Sequence, residues 1–321
     1  MSPCLPLLLT DTVSILHSLD EAAFQNAWLT IGVFDGVHRG HQQILDSLSS
    51  QAHAAGEPAL VLTFEPHPAV VLGGRSDYTC LTTLGERTDL LEASGADVVI
   101  IQTFTREFAD QTARQFMRRV VQRTGLHELV IGYDTALGRG RQGNAARLAK
   151  LGKEMSYVLQ VVPPLKDEIG IISSTRIRQA IASGRVSDAA RDLGRLFSIT
   201  GPVVHGDGRG HRINLPTANM DVPSGKVTPA NGIYACWAWV EGHRYQAATN
   251  VGVRPTFTPD LPAPLIEAHL LDFEQDLYGQ QVTLEFVEYL RPEEKYASVE
   301  ALVAQIHMDI TRTRHILEAM D

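Results

Sequence analysis

The chain contains little cysteine, with three residues in 321: Cys4, Cys80 and Cys236. An odd number of cysteines at such wide spacing forms neither a disulfide framework nor the paired ligands of a zinc site. Scattered cysteines of this kind are typical of proteins from reducing compartments. We therefore expect a cytoplasmic location and no structural disulfides.

The sequence also lacks an excess of positive charge, because 28 Lys and Arg residues stand against 37 Asp and Glu residues, for a net charge of −9 at pH 7. This balance argues against broad nucleic-acid binding, although it permits a local basic cleft. No apolar run is long enough to span a membrane. The leucine-rich start has no basic region and is interrupted at Asp11, so we expect no signal peptide. Small molecules are the expected partners, rather than nucleic acid or membranes.

The composition is that of an ordinary soluble globular protein, with 44% hydrophobic and 20% charged residues. A chain of 321 residues is long for a single core, so two domains are expected. The sequence pattern changes after Ser183-Gly184, and we place the domains at residues 1–186 and 187–321. For the assembly we expect a monomer or a weak homo-oligomer.

The first half alternates strand-like apolar runs with helical patterns, which predicts a doubly wound parallel sheet and an α/β fold. Such sheets bind ligands beyond the carboxyl ends of their strands. Polar, glycine-rich or proline-rich segments follow four of the runs, and one crevice can collect them. The strand-like runs are residues 29–34, 59–64, 97–101, 128–131 and 158–162. The helical patterns cover about residues 42–54, 84–94, 113–123 and 145–152. The polar segments are residues 35–41, 65–68, 132–134 and 173–176.

The second half changes to period-two alternation with Gly, Pro and Asp turns, which predicts an antiparallel sandwich or a small barrel. A short helix over residues 186–193 precedes it, and a terminal helix beginning near Ser298 is expected to cover one side of the barrel. The predicted strands are residues 233–240, 245–250, 265–271 and 281–289.

A strand-to-helix turn carries the first candidate site. His38 and His41 lie three residues apart near the first helical turn, where both can donate hydrogen bonds to one polyphosphate. Free N–H groups and the positive end of the helix dipole favour an anion at this point. Gly36 and Gly40 leave room for a ligand to approach the backbone. The pattern predicts phosphate binding.

Two other interpretations of this turn remain open. Asp35-x-x-His38-x-x-His41 is compatible with a metal site, although no further ligand cluster follows at a recognisable spacing. The two histidines are also compatible with an ordinary solvated turn.

The second candidate site lies in the predicted barrel. Gly206-Asp207-Gly208-Arg209-Gly210 is a glycine-rich loop whose N–H groups can surround phosphates. Thr217 and Asn219 follow, and their hydroxyl and amide oxygens are suitable ligands for Mg²⁺. The alternative is a plain surface turn, for which Gly, Asp and Asn runs are common.

Taken together, the motifs resemble bacterial bifunctional riboflavin kinase/FAD synthetase. The resemblance runs over nearly the whole chain in the same order, and its first string contains the His-x-Gly-His signature of the nucleotidyl-transferase superfamily. The matching segments are Gly32-Val33-Phe34-Asp35-Gly36-Val37-His38-Arg39-Gly40-His41, Thr63-Phe64-Glu65-Pro66-His67-Pro68, Ser173-Ser174-Thr175-Arg176-Ile177-Arg178, Pro216-Thr217-Ala218-Asn219, Asn250-Val251-Gly252-Val253-Arg254-Pro255-Thr256, Glu267-Ala268-His269-Leu270-Leu271-Asp272-Phe273 and Arg291-Pro292-Glu293.

For the N-terminal domain the resemblance implies transfer of an adenylyl group from ATP to FMN, giving FAD and pyrophosphate with the assistance of Mg²⁺. His38 and His41 are then catalytic, and Pro66 and Leu137 contact the flavin. Leu137 is a departure, because the family usually has an aromatic residue there, and leucine lacks the stacking contribution of roughly 0.5–1.5 kcal/mol. The implied nucleotide and phosphate contacts are Gly32, Phe34, Asp35, Gly40, Asp134, Ser174, Thr175 and Arg176.

For the C-terminal domain the resemblance implies phosphorylation of riboflavin to FMN by ATP. Glu267 is the implied catalytic residue, and it accepts or orients the proton of the ribityl 5′-hydroxyl. Asn214 replaces a glycine that the family usually has before Leu-Pro, and asparagine tolerates the same left-handed turn. Phosphate contacts are implied for Gly206, Gly208 and Arg209, flavin contacts for Asn250 and Arg291, and Mg²⁺ ligation for Thr217 and Asn219.

Three rival functions are considered beside the two-step synthesis of FAD. One is a nucleotidyl transferase for another phosphorylated substrate, which Pro216-Thr217-Ala218-Asn219 and Glu267 argue against. Another is a riboflavin kinase whose adenylyltransferase site is weak or lost. The third is a flavin-binding or regulatory protein without activity. Thr135-Ala136-Leu137 is the feature that favours the second and third.

Overall fold

The computed structural model describes residues 13–73, 78–206, 215–253 and 264–320. In this part the chain divides into two compact units. The first consists of the described residues up to Tyr78 together with Thr82–Ile172, and the second of Thr79–Leu81 together with the described residues from Ser173 onward. In the second unit, Cys80 forms a parallel bridge with Lys226. The domain boundary between residues 186 and 187 stays a prediction.

The first unit contains a parallel sheet of six strands in the order β1-β4-β3-β2-β5-β6. This confirms the predicted parallel α/β architecture, and all five predicted strands are present. The additional strand, β1, lies at one edge of the sheet. The strands are β1 (Ser14–Leu16), β2 (Trp28–Ile31), β3 (Ala59–Glu65), β4 (Val98–Thr103), β5 (Glu128–Gly132) and β6 (Val158–Val162).

Helices cover both faces of this sheet, because successive residues of its buried strands enter two different apolar clusters. Leu60 and Leu62 of β3 pack in one cluster, and Val61 between them packs in the other. The helices of the first unit are α1 (Arg39–Ala55), α2 (Pro68–Gly73), α3 (Leu84–Glu92), α4 (Arg106–Ala109), α5 (Ala113–Thr124) and α6 (Ala145–Met155).

The second unit is a closed barrel of six strands in the order β10-β11-β8-β7-β12-β9, with antiparallel pairing throughout. Of the two predicted alternatives, the barrel is confirmed. Two helices precede it and one follows. The elements are α7 (Ser174–Ala182), α8 (Val186–Leu193), β7 (Phe197–Val204), β8 (Ala218–Met220), β9 (Gly232–Val240), β10 (His243–Val253), β11 (Pro264–Leu270), β12 (Gln281–Arg291) and α9 (Val299–Glu318).

The terminal helix α9 begins where the sequence predicted. The Ser298 side chain accepts a hydrogen bond from the backbone N–H of Ala301, which caps the helix. α9 packs on β9, β10 and β12, and Leu317 near its end is fully buried in an apolar cluster with Ala235 and Trp237 of β9. The helix thus covers one side of the barrel. Within the described ranges, no helix is long and apolar enough to cross a membrane.

Candidate active sites

The turn between β2 and α1 has an unusual backbone. Phe34, Gly36 and Val37 have positive φ angles of 53°, 83° and 38°. Glycine adopts such angles freely, whereas a β-branched residue does so only when the surrounding structure enforces it. Phe34 and Val37 therefore adopt backbone conformations that their residue types disfavour, whereas Gly36 does not. Backbone strain of this kind is concentrated at functional sites.

Two buried side chains keep this turn in place. Asp35 is 2% exposed and Thr82, just before α3, is 5% exposed. The Thr82 N–H donates to Asp35 Oδ1 at 3.3 Å, and the Gly36 N–H donates to Thr82 Oγ1 at 3.1 Å. The Asp35 carboxylate thus accepts a hydrogen bond from the protein itself. Thr82 was missed by the sequence analysis, because no local pattern connects it to a turn 46 residues away.

His38 and His41 lie ring against ring at the start of α1. Their ring centroids are 3.7 Å apart with an 18° angle between the planes. His38 is the N-cap residue, and its Nδ1 accepts a hydrogen bond from the His41 N–H at 3.3 Å. In the neutral ring this leaves Nε2 of His38 as the donor. The edge-to-face contact of Phe34 with His41, with centroids 5.3 Å apart, packs the pair from one side.

The surroundings of His41 disfavour the charged form of its ring. The pKa of His41 lies well below its usual range, because desolvation disfavours the charged ring and His38 beside it repels a second positive charge. Its Nδ1 is buried and has no hydrogen-bond partner among the described residues. A phosphate that approached these rings would stabilise the protonated form and supply an acceptor.

The two alternative interpretations of the turn receive no support from the geometry. His38 is 6% exposed and is therefore not a solvated turn residue. Among the described residues, no three His, Cys, Asp or Glu side chains lie together as a metal site would require.

Glycines of this turn make room for its own aromatic rings. A Cβ atom at Gly32 would lie 3.0 Å from the Phe34 ring, and one at Gly40 would lie 3.2 Å from the His38 ring. Either contact would force the ring to shift. The two glycines therefore fix the positions of Phe34 and His38.

The other residues of the first unit that were predicted to contact ligands lie in the loops that follow β3 and β5. Pro66 follows β3 after a cis peptide bond with Glu65. Asp134 is exposed, and its backbone carbonyl accepts a hydrogen bond from Arg141 at 3.0 Å. Leu137 is 7% exposed and belongs to an apolar core cluster that also contains Phe116. A flavin contact by Leu137 stays a prediction.

The residues predicted to bind triphosphate at α7 belong to the second unit. Ser173 caps the helix by accepting a hydrogen bond from the Arg176 N–H at 3.3 Å. The Arg176 guanidinium forms an ion pair with Asp192 of α8 at 2.7 Å, and Asp192 is 1% exposed. This pair joins α7 to α8. The phosphate contacts predicted for Ser174, Thr175 and Arg176 stay predictions.

The barrel brings four predicted residues into one row. Asn219 of β8 is the register partner of Glu267 in β11, and Glu267 is the partner of Asn250 in β10. On its other side, Asn250 is paired with Ile233 of β9. Ile233 is in turn paired with Arg291 of β12. Residues directly opposite one another in paired strands share a face of the sheet. Glu267 therefore lies between two amide side chains on neighbouring strands.

The surroundings of this row are crowded and polar. A Cβ atom at Gly206 would lie 2.4–2.5 Å from the amide group of Asn219, so only glycine allows the backbone to pass so close. Asn219 is 7% exposed, and Glu267 is half-buried. The Asn250 Oδ1 atom is buried without a hydrogen-bond partner among the described residues. An acceptor left in this state is ready for a donor from a ligand.

His269 positions the segment that carries Thr217. It lies two residues after Glu267 on β11, on the same face. His269 Nδ1 lies 2.7 Å from the backbone carbonyl of Pro216, to which it donates in the Nδ1–H tautomer. This contact fixes the half-buried Thr217 beside the row. Gly208, Arg209 and Asn214 lie outside the described residues.

Arg291 is engaged in a structural ion pair. Its Nε and Nη2 atoms lie 2.9 and 2.7 Å from the two carboxylate oxygens of Asp309 in α9. Asp309 is 6% exposed. The hydrogen bonds to Asp309 raise the pKa of Arg291 further. A flavin contact by Arg291 stays a prediction, and in this structure the side chain connects β12 to α9.

Two oxygen donors at and beside the barrel row fit a hard divalent ion. Thr217 offers a hydroxyl oxygen and Asn219 an amide oxygen, and Mg²⁺ binds oxygen ligands of this kind. The close approach of Gly206 to Asn219 also suits a loop that wraps phosphate groups.

Comparisons with known proteins assign the two halves separately. Residues 20–176 match the FAD synthetase family model, and residues 193–317 match the riboflavin kinase family model. The histidine pair lies in the first matched segment and the barrel row in the second. Each candidate site thus falls within a different family match.

Curated relatives match over nearly their whole length. A bifunctional riboflavin kinase/FMN adenylyltransferase from Listeria monocytogenes is 33% identical over 306 residues, which cover 94% of this chain and 97% of the relative. Proteins of the same description from Escherichia coli and Haemophilus influenzae are 35% and 36% identical over 92% of this chain, and the matches cover 94% and 95% of those relatives.

A solved structure has the same fold under another description. The crystal structure of a protein from Streptococcus pneumoniae described as a macrolide-efflux protein has a TM-score of 0.87 and 31% identity, over 94% of this chain and 98% of that chain. Its description does not agree with those of the curated relatives. The two family matches and the full-length relatives agree with one another, and on their evidence this chain belongs to the bifunctional riboflavin kinase/FMN adenylyltransferase family.

Proposed function

We infer that this chain phosphorylates riboflavin to FMN in the barrel and transfers the adenylyl group of a second ATP to FMN in the parallel-sheet unit, which gives FAD. The observation that carries this inference is the presence of two polar sites in two units. The row of Asn219, Glu267 and Asn250 lies in the part that matches riboflavin kinase. The stacked pair of His38 and His41 lies in the part that matches FAD synthetase.

In the kinase reaction Glu267 acts as the general base. The ribityl 5′-hydroxyl oxygen attacks the γ-phosphorus of ATP, the bond to the β-phosphate oxygen breaks, and ADP leaves. Glu267 accepts the hydroxyl proton as the new P–O bond forms. The neighbouring amide of Asn250, whose Oδ1 atom has no partner among the described residues, accepts a hydrogen bond from the substrate and orients it.

Mg²⁺ is proposed as the ion of the kinase site. Thr217 and Asn219 would hold it, and when bound it neutralises charge on the phosphates of ATP. The His269 contact with the Pro216 carbonyl keeps Thr217 in place for this role.

In the adenylyl transfer an oxygen of the FMN phosphate attacks the α-phosphorus of ATP, and the bond to the β-phosphate oxygen breaks. Pyrophosphate leaves, and no covalent intermediate with the protein is required. The work of the site is positioning and stabilisation of charge. His38 and His41 donate hydrogen bonds to the phosphates and to the negative charge that develops on the leaving group.

The remaining contacts are part of the same proposal. Pro66, Leu137 and Arg291 are proposed to contact flavin. Nucleotide and phosphate contacts are proposed for Gly32, Phe34, Asp35, Gly40, Asp134, Ser174, Thr175, Arg176, Gly206, Gly208 and Arg209. A cytoplasmic location is proposed as well, because the three cysteines of the chain are few and widely spaced.

Two single variants test the assignment of one reaction to each site. His41→Ala should stop FAD formation from FMN and leave riboflavin phosphorylation nearly unchanged. Glu267→Ala should stop riboflavin phosphorylation and leave FAD formation from supplied FMN nearly unchanged. The measurement is chromatographic separation of flavins after incubation with ATP and Mg²⁺.

Matched controls exist for both variants. His53→Ala changes an exposed histidine in the last turn of the same helix as His41, and Glu285→Gln changes a carboxylate that bonds to Trp239 on another barrel strand. Both controls should retain both activities. Loss of both activities in a folded His41→Ala or Glu267→Ala protein would refute the assignment of separate sites.

A further inference from the structure

The segment of residues 82–87, at the start of α3, contacts two turns that follow neighbouring strands. One is the β2–α1 turn that carries His38 and His41, and the other is the Glu65-Pro66 turn after β3. β2 and β3 are adjacent and parallel, so both turns lie at the same edge of the sheet, where such sheets bind ligands.

The first contact is made by Thr82. It accepts a hydrogen bond from the Gly36 N–H and donates its own N–H to Asp35 Oδ1. Since Asp35 and Thr82 are buried, water does not replace these bonds when one partner is removed. The strained backbone of Phe34 and Val37 would then lose one of its restraints.

The second contact is made by Arg87, which is 1% exposed and is among the largest fully buried side chains of the described residues. Its Nη2 donates to the carbonyl of Phe64 at 3.1 Å and to Glu65 Oε2 at 2.7 Å. Its Nε is buried without a partner in the described part of the chain. Fully buried arginines are rare, because desolvation of the charge is unfavourable. Core packing alone does not explain this one.

The two contacts are rigidly connected. Thr83 and Glu86 form a capping box, in which the Thr83 side chain accepts the Glu86 N–H and the Glu86 side chain accepts the Thr83 N–H. The box fixes the start of α3 between Thr82 and Arg87. A displacement of one turn relative to the other therefore requires movement of the helix start.

We propose that Thr82 and Arg87 are positioning residues for adenylyl transfer, which set the distance between the phosphate-binding histidines and the turn that contacts flavin. This inference rests on the proposed function. The two reactants of this transfer are held by two different turns, and misplacement by about 1 Å lowers the rate of such reactions by about two orders of magnitude. Thr82 acts on the ATP side of the site, and Arg87 acts on the flavin side.

The test is steady-state kinetics of FAD formation for Thr82→Val and Arg87→Lys. Thr82→Val removes the hydroxyl without changing side-chain size, and kcat should fall about tenfold with little change in KM for FMN. Arg87→Lys keeps the charge and loses the forked geometry, so KM for FMN should rise about tenfold with a smaller change in kcat. Thr82→Ser, which keeps the hydroxyl, should restore most of the rate.

Thr88→Val is the matched control, because the Thr88 hydroxyl donates to the Leu84 carbonyl within α3 and not to either turn in the described structure. It should leave the kinetics of FAD formation unchanged. Riboflavin phosphorylation by the same protein should be unchanged in every variant, since that reaction is assigned to the other unit. Circular dichroism and Tm report whether the unit that carries the substitution is folded.

The outcomes separate this inference from the proposed function. A wild-type protein that forms no FAD would contradict the proposed function. If the wild-type protein forms FAD and both variants match it in kcat and KM, the positioning role is wrong. The role is also wrong if Thr88→Val lowers the rate as much as Thr82→Val does, or if both variants only lower Tm without the split between kcat and KM.

Discussion

The stacked rings of His38 and His41 constrain the charge that this pair can carry. Two imidazoles at a centroid distance of 3.7 Å cannot both be charged without strong repulsion. The lowered pKa of His41 therefore keeps this ring neutral until an anion arrives. If the pair binds phosphate as proposed, binding should be coupled to proton uptake, because bound negative charge favours the protonated ring.

This coupling predicts the titration of His41 in NMR experiments. In the free protein the pKa of the His41 ring should lie well below the usual histidine value of about 6.5. Addition of pyrophosphate should raise its pKa, since the anion stabilises the charged ring. Titration at the usual value with no response to pyrophosphate would contradict the proposed role of His41 as a phosphate ligand.

The same pKa shift has a consequence for stability, whose sign follows from linkage. The unfolded chain protonates His41 near pH 6.5, whereas the folded chain does so only at lower pH. The free energy of unfolding should therefore decrease as pH falls below about 6.5. His41→Gln should remove this part of the pH dependence, as measured by urea unfolding at pH 7.5 and at pH 5.5. An equal decrease in His41→Gln would contradict the prediction.

The buried position of Leu137 predicts a packing effect. Leu137→Ala should lower the free energy of unfolding by about 2–5 kcal/mol, because it opens a cavity in the core. Ile169→Ala, at a side chain that is 71% exposed, is the control with little effect. The measurement is urea unfolding. A flavin contact without a packing role would instead lower affinity for FMN and leave stability unchanged.

Candidate site residues that lie in local sequence motifs could be identified from the sequence. His38 and His41 lie at a predicted strand-to-helix turn, and Glu267 and Asn219 lie in predicted or matching segments of the barrel. Thr82 and Arg87 were not found, because their partners are far away in sequence and neither lies in a recognisable motif. The direction of the Leu137 side chain was not predictable either, since a loop has no periodicity from which to derive a face.

At the scale of secondary structure, most of the long elements were predicted, but the eight-residue strand β7 was missed. The strands β1 and β8 have three residues each, too few for a pattern. The predicted strand 29–34 ends at Ile31, because Phe34 takes a positive φ angle that a strand excludes. The order of the strands in the barrel could not be predicted from the sequence either, since strand pairing depends on partners that are distant in the chain.

The attachment of α9 to the barrel provides a prediction at this scale. Asp309→Asn should lower the free energy of unfolding by about 2 kcal/mol, because it leaves the Arg291 guanidinium partly buried beside a neutral partner. Asp272→Asn is the matched control, as Asp272 also pairs with an arginine of α9, Arg314, but its side chain is 75% exposed. The control should have a smaller effect. Equal losses in urea unfolding would contradict this account.

At the scale of the whole chain, two units carry two different sites. The first places the stacked pair of His38 and His41 at the carboxyl edge of a parallel sheet, where we propose that they bind phosphate without a protein base. The second places the Glu267 carboxylate between two amides on the barrel wall, where we propose that it acts as the base. The product of the barrel, FMN, is the substrate of the sheet. One chain thus contains both steps from riboflavin to FAD.

Double labelling of the product tests this claim most directly. The protein is incubated with riboflavin, Mg²⁺ and ATP labelled with radioactive phosphorus at either the γ or the α position, and the flavins are separated. FAD should carry label from the γ position in its FMN half and label from the α position in its AMP half. The two-step account would be contradicted if label from the γ position were found in FMN but not in FAD. It would also be contradicted if no flavin carried label.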